Sequence, residues 1–380
     1  MKVTSYFVGA LSMLAISTAF TSCSDDKGNG LNDDGSTVVL PDSRVYILNE
    51  GSYNGNNSNI TFYAPNGDYN STNVIDDIFN LQNDAKLGDT GQSMIVYGNS
   101  VYVAVYGSNY LVKLNSACVE EARVSFTSDS DLSAGIRYIA ADGGYIYASF
   151  YGGAVAKINA TTLKVESKLT GLGGNLEGVA IANGNLYIAN SYSYTATGYE
   201  YYNNLVVVDL NKFAKTGTLT VSENPNDLIS YNNKLYLISY AVYNSTDWSV
   251  VSNAAFQVVD PSTSKYTKIC DASKMAVGNG KVYLLNSDTD WNTYQTVNSF
   301  FSYDIASATL STSSFLTNAP SALSSSNIYM MSVNPNNGDI YIGTTDYYSN
   351  GEIYRFTKDG SYVGSFSSGG VNPSTAVYFN

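Results

Sequence analysis

A tyrosine between two apolar residues recurs seven times along the chain, and this repeat constrains the fold more than any other feature. Each copy lies within a short apolar run that reads as a β-strand. Successive copies are 40 (Tyr147 to Tyr187) to 58 (Tyr283 to Tyr341) residues apart. A strand-based repeat of this length is typical of a radial array of β-sheets. The seven residues are Tyr46, Tyr102, Tyr147, Tyr187, Tyr236, Tyr283 and Tyr341.

Each repeat reads as four strands, and the second copy shows the pattern most clearly. Alternating apolar residues predict strands over residues 92–97, 100–106, 110–115 and 121–127. Gly98-Asn99 separates the first two strands and supplies the residue types that two-residue hairpin turns prefer. The equivalent turns are predicted at Gly143-Gly144, Asn183-Gly184, Asn232-Asn233, Asn279-Gly280 and Asn337-Gly338.

The two ends of the repeat region complement one another. The first copy begins at Arg44 directly with the tyrosine-centred strand and has no inner strand before it. The chain ends with an inner-strand pattern, Pro373 to Phe379, and no further strand follows. Pairing these segments leaves no open sheet edge, which is how propellers avoid edge-to-edge association. We therefore predict an all-β fold over residues 44–380: a seven-bladed β-propeller whose C-terminal strand closes the first blade.

The N-terminal residues predict export. Lys2 precedes an apolar stretch that is too short for a confident membrane span, and Thr21-Ser22-Cys23 follows it. The small residues before Cys23 resemble the lipobox of bacterial lipoproteins, and Ser24-Asp25-Asp26 resembles the surface-export signal of Bacteroidetes lipoproteins. We expect residues 1–22 to be a lipoprotein signal peptide, Cys23 to be lipidated, and residues 23–43 to be a flexible tether. The alternative is plain secretion after cleavage by an ordinary signal peptidase.

This resemblance implies a protein anchored in the outer membrane and facing the cell exterior, with the lipid as its only contact with the membrane.

The chain carries 19 Lys and Arg against 32 Asp and Glu, a formal charge of −13, which argues against nucleic acid as a partner. It contains no histidine, which excludes Ser-His catalysis and His-ligated zinc. Cys118 and Cys270 fall in different repeats, so we expect both thiols to be unpaired. We expect no cofactor and no metal.

Long aromatic loops are predicted on one face of the propeller. They connect the second and third strands, whereas the turns on the other face are short hairpins. Long loops that carry aromatic side chains on a rigid scaffold favour a binding face. The alternative is that these rings only cover one another and the rim. The candidate binding residues in these loops are Tyr53, Tyr192, Tyr194, Trp248, Trp291 and Tyr347.

Polar residues at the starts of the inner strands are candidates for the centre of the same face. Arg137 is unusual because basic residues are scarce and this one lies in a predicted central strand. It could anchor an anionic or amide-bearing ligand, or it could pair with Glu177. The set is Gln92, Arg137, Glu177, Asn226 and Asp227, with Glu50 at the start of the first long loop.

Three segments carry a resemblance to a known family: ILNEGSYNGNNSNITFY (47–63), FNLQNDAKLGDTGQSM (79–94) and IRYIA (136–140). They resemble the YncE-like propeller lipoproteins of Bacteroidetes, in particular the BtuG-type surface lipoproteins. The resemblance implies capture of cobalamin on one propeller face and its transfer to a TonB-dependent outer-membrane transporter. It places Asn49, Glu50, Gln92, Arg137, Tyr138 and Glu177 at or near the ligand. The loops of the fourth to sixth blades are longer and richer in tyrosine than the resemblance implies.

Four functions therefore stay open at this point. The first is capture of a small-molecule ligand, cobalamin or another corrinoid, without catalysis. The second is glycan binding by stacking on Trp248 and Trp291. The third is a glycosidase or lyase that draws an acid/base pair from Glu50, Glu177 and Asp227. The fourth is a structural or docking protein of the cell surface.

Overall fold

The computed structural model describes residues 31 to 290, 293 and 295 to 380. The predicted signal peptide, the predicted lipidation at Cys23 and the predicted binding residue Trp291 lie outside the described residues. None of the helices within the described part is long and apolar enough to cross a membrane.

The described residues form seven four-stranded antiparallel sheets, or blades. Blade 1 contains β1 (Arg44–Asn49), β2 (Asn59–Tyr63) and β3 (Val74–Ile75). Blade 2 contains β4 (Gly91–Tyr97), β5 (Ser100–Val105), β6 (Tyr110–Leu114) and β7 (Glu120–Ser125). Blade 3 contains β8 (Ile136–Asp142), β9 (Tyr145–Phe150), β10 (Ala154–Asn159) and β11 (Val165–Leu169). Blade 4 contains β12 (Asn175–Ala182), β13 (Asn185–Thr195), β14 (Gly198–Asp209) and β15 (Ala214–Thr220). Blade 5 contains β16 (Pro225–Tyr231), β17 (Lys234–Ser239), β20 (Ala255–Asp260) and β21 (Lys265–Asp271). A two-stranded ribbon, β18 (Val242–Tyr243) and β19 (Val250–Ser252), lies between β17 and β20. Blade 6 contains β22 (Lys274–Gly278), β23 (Lys281–Asp290), β24 (Gln295–Asp304) and β25 (Thr309–Ser311). Blade 7 contains β26 (Asn327–Val333), β27 (Ile340–Thr345), β28 (Glu352–Phe356) and β29 (Tyr362–Ser367). The last strand, β30 (Pro373–Phe379), belongs to blade 1.

The predicted closure of the ring is confirmed. Strand β30 pairs with β1 from Arg44↔Phe379 to Asn49↔Pro373 and supplies the inner strand that blade 1 would otherwise lack. The two-residue turns that join first and second strands are confirmed in blades 2 to 6, and both residues of Gly143-Gly144, Asn183-Gly184 and Asn279-Gly280 have positive φ. The prediction at Asn337-Gly338 was wrong, because the connection between β26 and β27 is six residues long. We call the side that carries these turns the back face, and the side on which inner strands begin the front face.

The seven repeated tyrosines form the core between neighbouring blades. All seven are buried, because their side chains point from one sheet towards the next. Tyr46 packs with Val101 and Val103 of blade 2, and its hydroxyl donates to the Ser116 carbonyl at 2.8 Å. Tyr102 repeats the arrangement one blade later and donates to the Ala160 carbonyl at 2.7 Å. The repeat therefore marks the contact by which each blade joins its neighbour.

Replacing Tyr46 by Phe is expected to lower the free energy of unfolding by about 0.5–1.5 kcal/mol, because one hydrogen bond is lost while the Ser116 carbonyl keeps its bonds from Arg44. Tyr341 offers the matched control, since its buried hydroxyl has no hydrogen-bond partner among the described residues. Tyr341→Phe should therefore be neutral or slightly stabilising. Urea unfolding of both variants measures the difference, and equal losses would contradict this account of the two hydroxyls.

The end of the segment expected to be a tether packs against the propeller. The backbone N–H of Thr37 donates to Gln82 Oε1 at 2.7 Å, and Val38 and Leu40 contact the apolar core between blades 1 and 2. Asn115 Nδ2 donates to the Asp34 carbonyl at 2.9 Å. Asn115 belongs to the turn between the third and fourth strands of blade 2, so this contact lies on the back face. Ordered contacts thus begin before Arg44.

A short helix that the sequence analysis did not predict, α1 (Ile78–Asn83), leads from blade 1 to blade 2. Asp77 caps its N-terminus by accepting from the backbone N–H of Asn80 at 2.9 Å. Within the described residues, the other helical element is a single 3₁₀ turn, Ser321–Ser324. Both predicted free thiols, Cys118 and Cys270, are unpaired.

The prediction of long loops between the second and third strands was wrong for blades 4 and 6. Strands β13 and β14 continue as one hairpin to the pair Thr195↔Gly198, and β23 and β24 pair as far as Asp290↔Gln295. Tyrosine and threonine are frequent in both segments and favour strands, so the chain extends the sheet beyond the disc instead of forming a loop. In blade 5 the corresponding segment folds as the ribbon β18–β19.

Candidate functional site

A cavity of about 1340 Å³ opens on the front face, where the inner strands begin. Inner-strand residues of all seven blades contribute to its lining, from Gln92 in blade 2 to Thr375 in blade 1. The extended hairpin of blade 4 and the ribbon of blade 5 raise its wall through Tyr192 and Trp248. The site is therefore an axial bowl walled on one side by aromatic side chains.

β-Bulges place the polar side chains of the bowl. In six of the seven inner strands, the register of pairing with the second strand shifts near the start of the inner strand. The exception is β22, which pairs without interruption from Lys274 onwards. The shift changes the direction in which the inserted side chain points, which is a recognised role of bulges beside functional sites. The six shifts fall at Gln92, at Arg137-Tyr138, at Glu177-Gly178, at Asn226, at Tyr329 and at Ser374.

A second set of lining residues comes from a fixed position after the repeated tyrosine. Glu50, Tyr106, Tyr151 and Tyr240 each lie four residues beyond that tyrosine, directly after a second strand. Each donates its backbone N–H to the carbonyl of the residue that precedes the inner strand of its own blade, at 2.7–3.0 Å. This shared bond fixes the end of the second strand at the front face, and three of the four residues line the bowl: Glu50, Tyr151 and Tyr240.

Arg137 is held by its neighbours on both sides. Its Nε and Nη2 lie 2.9 and 2.8 Å from Oε2 of the buried Glu177, and its Nη1 donates to Gln92. The rings of Tyr106 and Tyr151 face the guanidinium with centroids at 4.9 and 4.5 Å. The predicted pairing with Glu177 is confirmed, and these contacts account for Arg137 within the fold.

The pKa values of this pair reflect opposing effects. Burial alone would lower the pKa of Arg137, but the Glu177 carboxylate raises it above its usual value. Burial raises the pKa of Glu177, while Arg137 and the hydroxyl of Tyr151, which donates to Oε1 at 2.7 Å, act in the opposite direction. Both oxygens of Glu177 are thus engaged.

Two further carboxylates in the bowl are engaged on one side only. The hydroxyl of Tyr329 donates to Oε2 of Glu50, and that of Tyr240 donates to Oδ1 of Asp227 at 3.2 Å. Burial raises the pKa of both carboxyls, and the positive charge of Lys274 partly offsets this. Neither has a basic group within ion-pair distance in the described part of the chain. Lys274 Nζ lies 5.4 Å from the centroid of the Tyr329 ring.

Exposed aromatic side chains stand at the rim. Trp248 is 64% exposed, and its indole meets Tyr199 edge-on at 6.5 Å. Tyr199 in turn contacts Tyr192 at 5.4 Å. In blade 7, Tyr347 is half exposed and meets Tyr329 at 6.2 Å. Trp248 and Tyr347 have φ of 59° and 70°, a conformation that bulky residues rarely adopt and that clusters at ligand sites.

The structure brings most of the predicted site residues together. The ten that line the bowl are Glu50, Gln92, Arg137, Tyr138, Glu177, Tyr192, Asn226, Asp227, Trp248 and Tyr347. Tyr53 stacks on Tyr106 beside the bowl, and Tyr194 contacts Tyr199 at the outer end of its hairpin. The prediction for Asn49 was wrong: its buried side chain donates to Thr61 and to the Ser368 carbonyl inside blade 1.

Several lining residues were missed by the sequence analysis: Tyr151, Tyr240, Lys274 and Tyr329. Tyr151 and Tyr240 could have been found by counting four residues beyond the repeated tyrosine. Lys274 and Tyr329 begin inner strands, but neither stood out from the surrounding sequence.

The chain shows no match to any known protein-family model or to any curated protein. Solved structures with the same architecture do exist. The WD40 repeats of RRP9 align with a TM-score of 0.53 at 9% identity, over 73% of this chain and 80% of that one. U3-55K aligns with a TM-score of 0.51 at 9% identity, over 73% and 81%. BamB from Moraxella catarrhalis gives 0.48 at 11% identity, over 90% and 88%. The two alignments with a TM-score above 0.5 show the propeller fold alone.

Proposed function

We propose that this protein binds a large, hydrogen-bonding ligand in the front-face bowl without chemically changing it, and that the ligand is a corrinoid such as cobalamin. The observation that carries the proposal is the set of inner-strand bulges, which directs polar side chains into a cavity of about 1340 Å³. Pockets for drug-sized ligands are typically about 300–1,000 Å³, so the bowl suits a larger molecule.

The chemistry of the lining supports the same class of ligand. A corrinoid is a broad macrocycle with apolar faces and carboxamides around its edge. The bowl offers apolar and aromatic surface, such as Ile139 and Tyr192, together with amide side chains such as Asn226. The absence of histidine and the engagement of the buried carboxylates by tyrosine hydroxyls favour binding over catalysis.

We further propose that a lipid on Cys23 holds the protein at the outer membrane, facing outwards, and that the ligand passes to a TonB-dependent transporter. These proposals rest on the sequence before residue 31 and on the resemblance of three segments to YncE-like and BtuG-type lipoproteins.

A glycan is the second candidate ligand. The exposed Trp248 and Tyr347 favour it, because exposed rings at a cavity rim are the usual stacking surfaces for sugars. A glycan array of the purified protein separates the two candidates.

Titration of the mature protein with cyanocobalamin, followed by calorimetry and absorbance, tests the corrinoid proposal. We expect a dissociation constant below micromolar. Trp248→Ala should weaken binding by about tenfold without loss of stability, because the ring is exposed and its contacts lie at the rim. Tyr266→Ala, on the outer strand β21, is the matched control and should leave affinity unchanged. No heat and no spectral change at micromolar concentrations would refute the corrinoid.

A further inference from the structure

Asn226 is a buried side chain whose hydrogen-bonding groups are unused within the fold. It is only 5% exposed and lines the bowl, yet its amide makes no hydrogen bond with any described residue. Its amide atoms are not among the side-chain atoms that are fully enclosed without a partner, so they open onto the bowl. An amide that opens onto a cavity and has no partner within the fold is paired by water while the bowl is empty and is available to a ligand.

The backbone of Asn226 is held by its neighbours, whereas its side chain has no hydrogen-bond partner within the described residues. Asn226 is the inserted residue of the bulge between the pairs Pro225↔Ser239 and Asp227↔Ile238. Its carbonyl packs against Gly178 in the bulge of blade 4, where any Cβ would collide with it. The glycine therefore allows the two inner strands to approach closely, and Asn226 is held in place at the wall of the bowl.

The neighbouring groups add open acceptors and donors. Asp227 uses Oδ1 for Tyr240, and its Oδ2 receives no hydrogen bond within the described residues. Gln92 uses Oε1 for Arg137, and its Nε2 has no partner in the same part of the chain. The unused set thus contains both N–H donors and oxygen acceptors, with the amide of Asn226 presenting one of each in a single plane.

We propose that Asn226 and Asp227 form a subsite for a primary carboxamide of the ligand. A carboxamide can form two parallel hydrogen bonds with the amide of Asn226 and direct its second N–H towards Asp227. A carboxylate in the same place would lose these N–H donors and would meet the charge of Asp227. The subsite deepens the proposed function, since it names the ligand group that this part of the bowl recognises.

Two buried asparagines allow a matched test. Asn226→Ala is expected to leave the melting temperature unchanged and to weaken cyanocobalamin binding about 5- to 50-fold. Asn49→Ala removes an amide that the fold uses, so it should lower the melting temperature and leave the affinity of the folded protein unchanged. Cyanocobalamin monocarboxylic acids, in which one carboxamide is hydrolysed, should bind the native protein more weakly, and Asp227→Asn should reduce this penalty.

A small probe separates the subsite from the choice of ligand. Ligand-observed NMR with millimolar nicotinamide should show binding to the native protein, no binding to Asn226→Ala, and no binding of nicotinate to either. Failure of cyanocobalamin with success of nicotinamide would refute the corrinoid and support the subsite. The subsite is overturned if nicotinamide and nicotinate behave alike, or if Asn226→Ala is as unstable as Asn49→Ala.

Discussion

Truncation after Asn372 is expected to abolish cooperative folding. The deleted residues include β30, which pairs with β1 along its whole length and places Val377 in the core between blades 1 and 2. Without it, β1 becomes an unpaired edge at the axis of the ring and the contact between blades 7 and 1 is lost. The cost is expected to exceed the whole stability of a typical domain, about 5–15 kcal/mol.

Circular dichroism and urea unfolding measure this loss. Truncation after Phe379, which removes one residue beyond β30, is the control and should unfold like the full chain. A peptide of residues 373–380 added in excess should restore part of the native signal, because the missing strand binds the folded state. A cooperative transition of native amplitude in the truncated chain would show that the strand pairing does not close the ring.

Arg137→Met is expected to lower the free energy of unfolding by about 3–5 kcal/mol. The substitution leaves the Glu177 carboxylate buried with no cation beside it, since the ion pair at 2.8 Å is lost. It also removes the donor to Gln92 and the cation from between the rings of Tyr106 and Tyr151. Weaker ligand binding should follow, because these groups shape one side of the bowl.

The double variant Arg137→Met/Glu177→Gln is expected to recover much of the lost stability, because no uncompensated charge remains in the interior. Lys113→Met is the surface control: it breaks the pair with Glu121 and should cost no more than about 1 kcal/mol. Urea unfolding is measured for Arg137→Met, Glu177→Gln, the double variant and Lys113→Met. The first three, with the native protein, complete the double-mutant cycle. If Arg137→Met costs as little as Lys113→Met, the buried pair is not the structural centre of the bowl.

The architecture could be predicted from the sequence because it depends on local signals that repeat. Each copy of the buried tyrosine, such as Tyr46 or Tyr102, reports the same contact between blades, and each Gly/Asn turn reports the same hairpin. The closing strand followed from counting, since Arg44 begins a blade without an inner strand. These features need no knowledge of distant contacts.

The details of the bowl depend on signals that the sequence does not display. A bulge leaves no clear mark in a strand pattern, so the re-aimed side chain of Asn226 could be named as a candidate but not recognised as unpaired. Asn49 and Glu50 are adjacent in sequence, yet alternation along the strand sends Asn49 into blade 1 and Glu50 into the bowl. The partners of Arg137 come from the blades on either side, which only the assembled ring brings within reach.

The position of residues 32–43 determines how a tethered copy of this protein is presented. These residues lie against the turn at Asn115, on the side of the disc away from the bowl. With the anchoring at Cys23 proposed above, the chain joins the disc on its back face, opposite to the opening of the bowl.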